Sequence, residues 1–209
     1  MTPLAFGAQL TPRLGAAQLA RLRELAETAT RSAATSLGAM IDARTSIAAV
    51  NVRRVTFAEA QGLMGDPEQP VAAAYLVFEG GLAGHIALVL RRQAALRLVD
   101  MLMLQEAGTA TEFDDLATSA LGEVGNQTGS AFLNTLADSL GLQVRISPPA
   151  VVVDMAAAVL NSVVAQASAV SDEIVALDTP FAIEDEETEA LFLVIPDPGS
   201  LELMAGGLA

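Results

Sequence analysis

Glu24-Leu-Ala-Glu27-Thr-Ala-Thr-Arg-Ser-Ala-Ala-Thr-Ser-Leu37 and Glu123-Val-Gly-Asn126-Gln-Thr-Gly-Ser-Ala-Phe-Leu-Asn-Thr-Leu136 line up without a gap, 99 residues apart. Self-similarity at a fixed offset marks a duplicated structural unit, so it is read before any local pattern. Each copy opens a helix, passes through small residues and enters a strand-like run, at residues 45–55 and 142–147. A short helix is expected next in each, over 57–64 and 153–166. Two strands should follow: 71–79 and 82–90, joined by the hairpin signal Gly80-Gly81, and 172–183 and 189–195, joined by the acidic run 184–187. Helical periodicity resumes over 91–104 and, after Pro196-Asp-Pro198-Gly199, over 200–208.

Working outward, helix–strand–helix–strand–strand–helix occurs twice. This predicts an α/β (α+β) fold, a duplicated helix–strand unit with pseudo-two-fold symmetry. Its sheet should be mostly antiparallel and covered by long helices, each half burying its own sheet face. Residues 1–209 read as one domain, with a first repeat over 17–107 and a second over 112–207. Residues 1–16 are a loose lead-in and 108–113 the linker.

Composition narrows the chemistry. An apolar fraction of 52% against 17% charged residues indicates a packed core. That core is built mainly from Ala, Leu and Val, since Trp is absent and Tyr occurs once. Without Cys, disulfides, thiolate metal sites and cysteine nucleophiles are excluded. All 11 bases are Arg, so lysine Schiff-base chemistry and a phosphate-loop lysine are excluded as well. A net charge of −14 disfavours nucleic acid and anionic membrane as partners and favours a protein with a cationic pocket. The N-terminus lacks the pattern of a secretory leader. The apolar stretch 150–170 carries Asp154, Asn161 and Gln166 and reads as a buried amphipathic helix, not a membrane span. A cytoplasmic location is expected.

In the second copy, Ser119, Glu123 and Asn126 are spaced i, i+4, i+7, which keeps them on one helix face. Gly122 and Gly125 flank that face, at roughly 1 kcal/mol each relative to Ala. Such residues are retained where a neighbouring helix or a docked partner must come close. A Glu and an Asn at this spacing are common, and alone they decide nothing.

Ser119-x3-Glu123-x2-Asn126-x22-Pro149 resembles the signature of the CheC, CheX and FliY phosphatases, and 121–134 is similar to that family's signature helix. Ser32-Ala-Ala-Thr-Ser-Leu37 resembles a matching family stretch in the first copy. The likeness runs from about residue 17 to 207 and is to CheC-like members with two repeats. It implies a chemotaxis hydrolase, a protein aspartyl-phosphate phosphatase acting on a phosphorylated CheY-type response regulator. Glu123 and Asn126 would be catalytic, with Ser119 and Pro149 supporting. The first copy has Ala20, Glu24 and Glu27 at these places, and Ala49 or Val50 where Pro would stand, so its site is degenerate and one active centre is expected.

The resemblance also implies no metal or cofactor of the chain's own, Mg2+ being supplied by the partner. The amide of Asn126 would hold a water in line with the scissile bond, and Glu123 would pair with a partner lysine. A carboxylate at Glu27 would be repelled by the phosphoryl group. An alternative implied role is a binding module that regulates the receptor deamidase CheD. A flagellar-switch role of the FliM or FliY type is disfavoured by the absence of a further domain after Ala209. His85 reads as a satisfied strand histidine, and Arg53-Arg54 and Arg91-Arg92 as strand-end and helix-start surface charges.

Overall fold

Two helices of equal length begin the two halves, α1 (Ala16–Ile41) and α4 (Asp115–Leu140). The computed structural model describes residues 14–47, 50–167, 173–183 and 186–206. The small-residue stretches become helix because nothing in them interrupts the 3.6-residue repeat of buried positions: Leu22, Ala26, Ala29, Ala33 and Leu37 in α1, and Leu121, Gly125, Phe132 and Leu136 in α4. The caps differ. Asp114 Oδ1 accepts the N–H of Ala117 at 2.8 Å, and α4 ends on Gly141 at φ 67°. In α1, Gly15 has no side chain to cap with, and Asp42 takes the left-handed position at φ 49°.

The first half continues with β1 (Thr45–Ile47), β2 (Asn51–Thr56), α2 (Phe57–Ala60), β3 (Pro70–Gly80), β4 (Gly84–Arg91) and α3 (Arg92–Leu102). The second half continues with β5 (Val144–Ile146), β6 (Ala150–Met155), α5 (Ala156–Ala167), β7 (Glu173–Ile183), β8 (Glu186–Pro196) and α6 (Pro198–Met204). The 99-residue offset holds well beyond the quoted stretch. Ala16 and Asp115, Thr45 and Val144, Asn51 and Ala150, and Phe57 and Ala156 each begin equivalent elements.

Among the described residues one antiparallel sheet of eight strands forms, in the order β1-β7-β8-β4-β3-β5, with β2 also on β7 and β6 also on β3. The order is palindromic, and its axis passes where Ala87 of β4 faces Leu193 of β8. The sheet departs from the expectation that each half covers its own strands. The leading strands β1 and β2 pair with β7 of the other half, while β5 and β6 pair with β3. Side-chain alternation along β3 and β4 divides the core. Ala72, Leu76, Ile86 and Leu88 face α1, α4, α3 and α6; Val71, Ala73, Ala87 and Val89 face α2 and α5. Both faces of the sheet are therefore covered.

Three local expectations are corrected. Residues 150–155 form strand β6, and α5 starts only at Ala156, because three of the six residues are β-branched valines that pair with β3 from Val151↔Ala74 to Met155↔Pro70. The first-copy run 45–55 is two strands, and helix α2 stops at Ala60. The acidic run 184–187 is not all hairpin tip: Glu186 already pairs with Ile183, and 184–185 lie outside the described residues. The linker is pinned by buried Asp100, whose carboxylate accepts the N–H groups of Gly108 and Ala110 at 2.7 Å each. No helix among the described residues is long and apolar enough to cross a membrane.

Candidate functional site

Helix α4 lies on the sheet with its glycines inward. A Cβ on Gly125 would collide with the Cβ of Ala74, and one on Gly129 would meet Leu76 at 3.5 Å. A Cβ on Gly122 would meet Pro149 at 3.5 Å and Val151 at 3.6 Å. The glycines thus serve close approach to strands β3 and β6 and to the segment before β6, and not a crossing of the two repeat helices. With that face against the sheet, the opposite arc is solvent-facing. Ser119 and Glu123 are exposed and Asn126 is half-buried at the edge of the arc.

Pro149 comes to the helix through a bulged crossing between β5 and β6. The Ser147 N–H donates to Val77 O at 2.8 Å, and Ser147 Oγ accepts the Val77 N–H at 3.0 Å. Residues 147–149 therefore sit opposite only two residues of β3, since Ile146 faces Phe78 and Ala150 faces Tyr75. The extra residue presses Pro149 toward Gly122, one turn from Ser119 and Asn126. All four motif positions so meet on one surface, although 22 residues separate Asn126 from Pro149.

One partner of the motif is missing from the spacing argument. Gln127 Nε2 donates to Glu123 Oε1 at 2.7 Å, an i,i+4 contact that steadies the carboxylate on the exposed face. The spacing of Glu123 and Gln127 alone would have revealed it.

At the equivalent first-half positions, Ala20 and Glu24 are exposed and Glu27 is half-buried, so the backbone presents them in the same way. The chemistry differs. Arg23 stands where Gly122 does, and Val50, the counterpart of Pro149 by the offset, is buried at 2% exposure. Thr28 replaces Gln127 and donates its hydroxyl to the Glu24 carbonyl, not to the carboxylate.

The other polar residues serve structure. His85 lies in β4, with Nδ1 hydrogen-bonded to the Tyr75 hydroxyl at 2.5 Å. Burial pushes its pKa below the ordinary value, opposed by the charge of Asp197. Arg53 is not a strand-end surface charge. It lies within β2 and grips buried Asp178 of β7 with Nε and Nη2, at 2.5 and 2.6 Å, and the pairing raises its pKa. Arg91 and Arg92 do stand at a strand end and a helix start. Among the described residues, no group of three or more His, Asp or Glu has the geometry to hold a metal ion. An open cleft of about 540 Å³ between the end of α4 and the β3–β4 turn, lined by Asn134, Asp138 and Arg145, contains none of the motif residues.

A small-residue helix thus carries Glu and Asn on its free face, above an antiparallel sheet shared by two exchanged repeats. Residues 116–153, from the first turn of α4 into β6, match the model of the CheC-like family. Over 193 residues, 88% of this chain and 90% of the relative, the sequence is 25% identical to the CheY-P phosphatase CheC of Bacillus subtilis (strain 168). The fold is shared with the X-ray structure of Thermotoga maritima FliY, at TM-score 0.72 and 23% identity over 93% of this chain and 97% of that one. It is also shared, at TM-score 0.50 and 20% identity over 82% and 95%, with a chain of the CheX–CheY–BeF3–Mg2+ complex from Borrelia burgdorferi. The chain is therefore similar in sequence to CheC and in fold to FliY.

Proposed function

We propose that this protein accelerates hydrolysis of the phosphoaspartate of a CheY-type response regulator, with a single active centre on α4. The observation that carries the reading is the convergence of Ser119, Glu123, Asn126 and Pro149 on one open helix face, inside the segment that matches the CheC-like family. The B. subtilis relative is a CheY-P phosphatase, and the B. burgdorferi structure that shares the fold is a CheX–CheY complex.

An aspartyl phosphate is an acyl phosphate that hydrolyses unaided, so a visiting protein need supply geometry and no nucleophile. Asn126 can accept one hydrogen of a water and leave its lone pair directed at phosphorus. As the P–O bond to the partner's aspartate breaks, that carboxylate leaves and inorganic phosphate forms. Glu123, steadied by Gln127, would pair with a cationic side chain of the partner and set the helix in register. Mg2+ would belong to the partner's site. Raising an existing rate about a hundredfold requires only about 2.7 kcal/mol, within the reach of positioning.

The test is decay of a phosphorylated CheY-type receiver domain with and without the protein. Faster decay that disappears in Asn126→Ala supports the reading; decay unchanged by wild-type protein overturns it. One observation favours a second, regulatory role: the first half keeps the helix and Glu24 but lacks the Asn, Ser and Pro, so it presents a surface without a water-positioning group. In that role the protein would bind the receptor deamidase CheD. Asn126→Ala would then bind a deamidase as tightly as wild type, measured as a dissociation constant for the purified pair.

A further inference from the structure

Four of the six large hydrophobic side chains exposed among the described residues cluster at one place: Leu116 on the first turn of α4, and Val152, Val153 and Met155 on β6. Strand β6 has β3 on one side and, among the described residues, no strand on the other. Strand alternation sorts its side chains. Val152 pairs with Ala73, which faces α5; Val153 pairs with Ala72, which faces the α1 and α4 layer, and Met155 follows it two residues on.

The position along α4 follows from the glycine contacts. Gly125 stands over Ala74 and Gly129 over Leu76, so α4 runs parallel to β3. Two strand residues, about 6.6 Å, correspond to about four helix residues. Val153 is therefore abreast of about position 121 and Met155 of about position 117. Around the helix, Gly122 marks the direction of β6. At about 100° per residue, Asn126 and Ser119 lie only about 40° and 60° from that direction, and Glu123 and Leu116 about 100° and 120°. The motif thus faces the shoulder formed by Val153 and Met155, with exposures of 43% and 51%.

The first half provides an internal control. At the positions of Val153, Met155 and Leu116 it has Arg54, Thr56 and Ala17. The apolar shoulder is missing where Asn, Ser and Pro are missing, and it is present where they are present. Exposed valines on an edge strand carry an aggregation hazard, which charged residues such as those of β2 suppress. Their retention beside the intact motif alone points to a contact made there.

We infer that Val153 and Met155, with Leu116, form the apolar part of the docking surface for the phosphorylated receiver on which Asn126 and Glu123 act; the inference rests on the proposed function. The occupant follows from position and charge. A partner that reaches Asn126 along α4 must cover this shoulder. Around it stand Asp114, Asp115 and Glu123, in a half of the chain (108–209) that has 16 acids and one base. The matching partner face pairs an apolar side chain with cationic groups, as a metal-loaded phosphoryl site does.

The experiment titrates a CheY-type receiver loaded with BeF3− and Mg2+ against wild-type protein, Val153→Asp/Met155→Asp, the milder Val153→Thr/Met155→Thr, and Val152→Asp on the opposite sheet face. Melting curves verify that each variant is folded. The aspartate pair should raise the dissociation constant about tenfold or more and raise KM for dephosphorylation with little change in kcat. The threonine pair should do so to a lesser extent, and Val152→Asp should stay within about twofold of wild type. An unchanged dissociation constant in both double variants, with turnover still abolished by Asn126→Ala, would overturn the docking surface and leave the phosphatase reading standing. A wild-type protein that neither binds the receiver nor speeds its decay would overturn both.

Discussion

The two halves share a backbone and little else. From Ala16 to Thr56 and from Asp115 to Met155 the elements coincide at a constant offset, yet residues 1–107 contain ten bases and nine acids while 108–209 contain one base and 16 acids. One half is electrically balanced and braced by side-chain contacts. The other is strongly anionic, glycine-rich on its helix and open at the edge. Duplication supplied two equivalent positions, and the helix-on-sheet packing tolerated divergence because it depends on small inward residues, not on the outward ones. The outward face was left free to differ.

The comparison is broken most sharply by rate measurements. Asn126→Ala should remove about a hundredfold acceleration of receiver dephosphorylation, whereas Glu27→Ala should leave the rate within about twofold. A comparable loss in Glu27→Ala would mean that both halves act. Glu27→Asn should create no second centre, because Arg23, Val50 and Arg54 still occupy the places of Gly122, Pro149 and Val153.

Stability comes next. Gly125→Ala drives a methyl into Ala74 Cβ and should destabilise by about 1–3 kcal/mol despite the better helix propensity. Chemical denaturation measures that, and the displaced helix should lose activity as well. At the equivalent first-half position Ala is native, and Ala26→Gly should lose about 1 kcal/mol, chiefly through helix propensity. A harmless Gly125→Ala would show that α4 sits no closer to the sheet than α1 does.

The third test concerns Asp178, which is 1% exposed and occupies on β7 the place that Tyr75 occupies on β3, opposite Asn51 as Tyr75 is opposite Ala150. Arg53→Ala removes the bidentate cation and leaves that carboxylate leaning on the Asn51 amide at 3.2 Å, at a cost of about 2–3 kcal/mol. Removing the carboxylate by Asp178→Asn should cost less, because Arg53 is 47% exposed and can turn to water. Urea midpoints for the two variants give the order directly.

The smallest effect is pH-dependent. His85 has a folded pKa below its ordinary 6.5, through burial. As pH falls below 6.5 the unfolded chain takes up this proton before the folded one does, so stability declines through that window and is complete above it. His85→Leu, which introduces the residue type found at position 191 of β8, should flatten the difference between urea midpoints at about pH 7.5 and about pH 5.5.

How far the sequence could be read follows from the range of the interactions. The long helices were legible because their signal is local and duplicated. Ser119, Glu123 and Asn126 were legible as one face because helical geometry fixes what i, i+4 and i+7 share. Strand β6 was not: a valine run after Pro148-Pro149 satisfies a helix start as well as a strand, and only pairing with Ala72 and Ala74 decides between them. The partner of Gly125 was equally hidden, since a glycine states that something is close and not what. Strand exchange was beyond reach because Asn51 and Asp178 lie 127 residues apart, and nothing in either segment names the other.

That exchange has a consequence for the order in which the protein is made. A ribosome that has released only the first hundred residues has delivered β1 and β2 without β7, and β4 without β8. At about 5–20 residues per second, the remaining chain takes on the order of 5–20 s to arrive. Throughout that interval the Ala-rich strand β3 and the underside of α1 have no permanent cover. The nascent first half therefore cannot finish as a unit and be stored. It must wait, partly assembled, for its counterpart, and premature termination near the linker should yield an insoluble product, not a half-sized folded one.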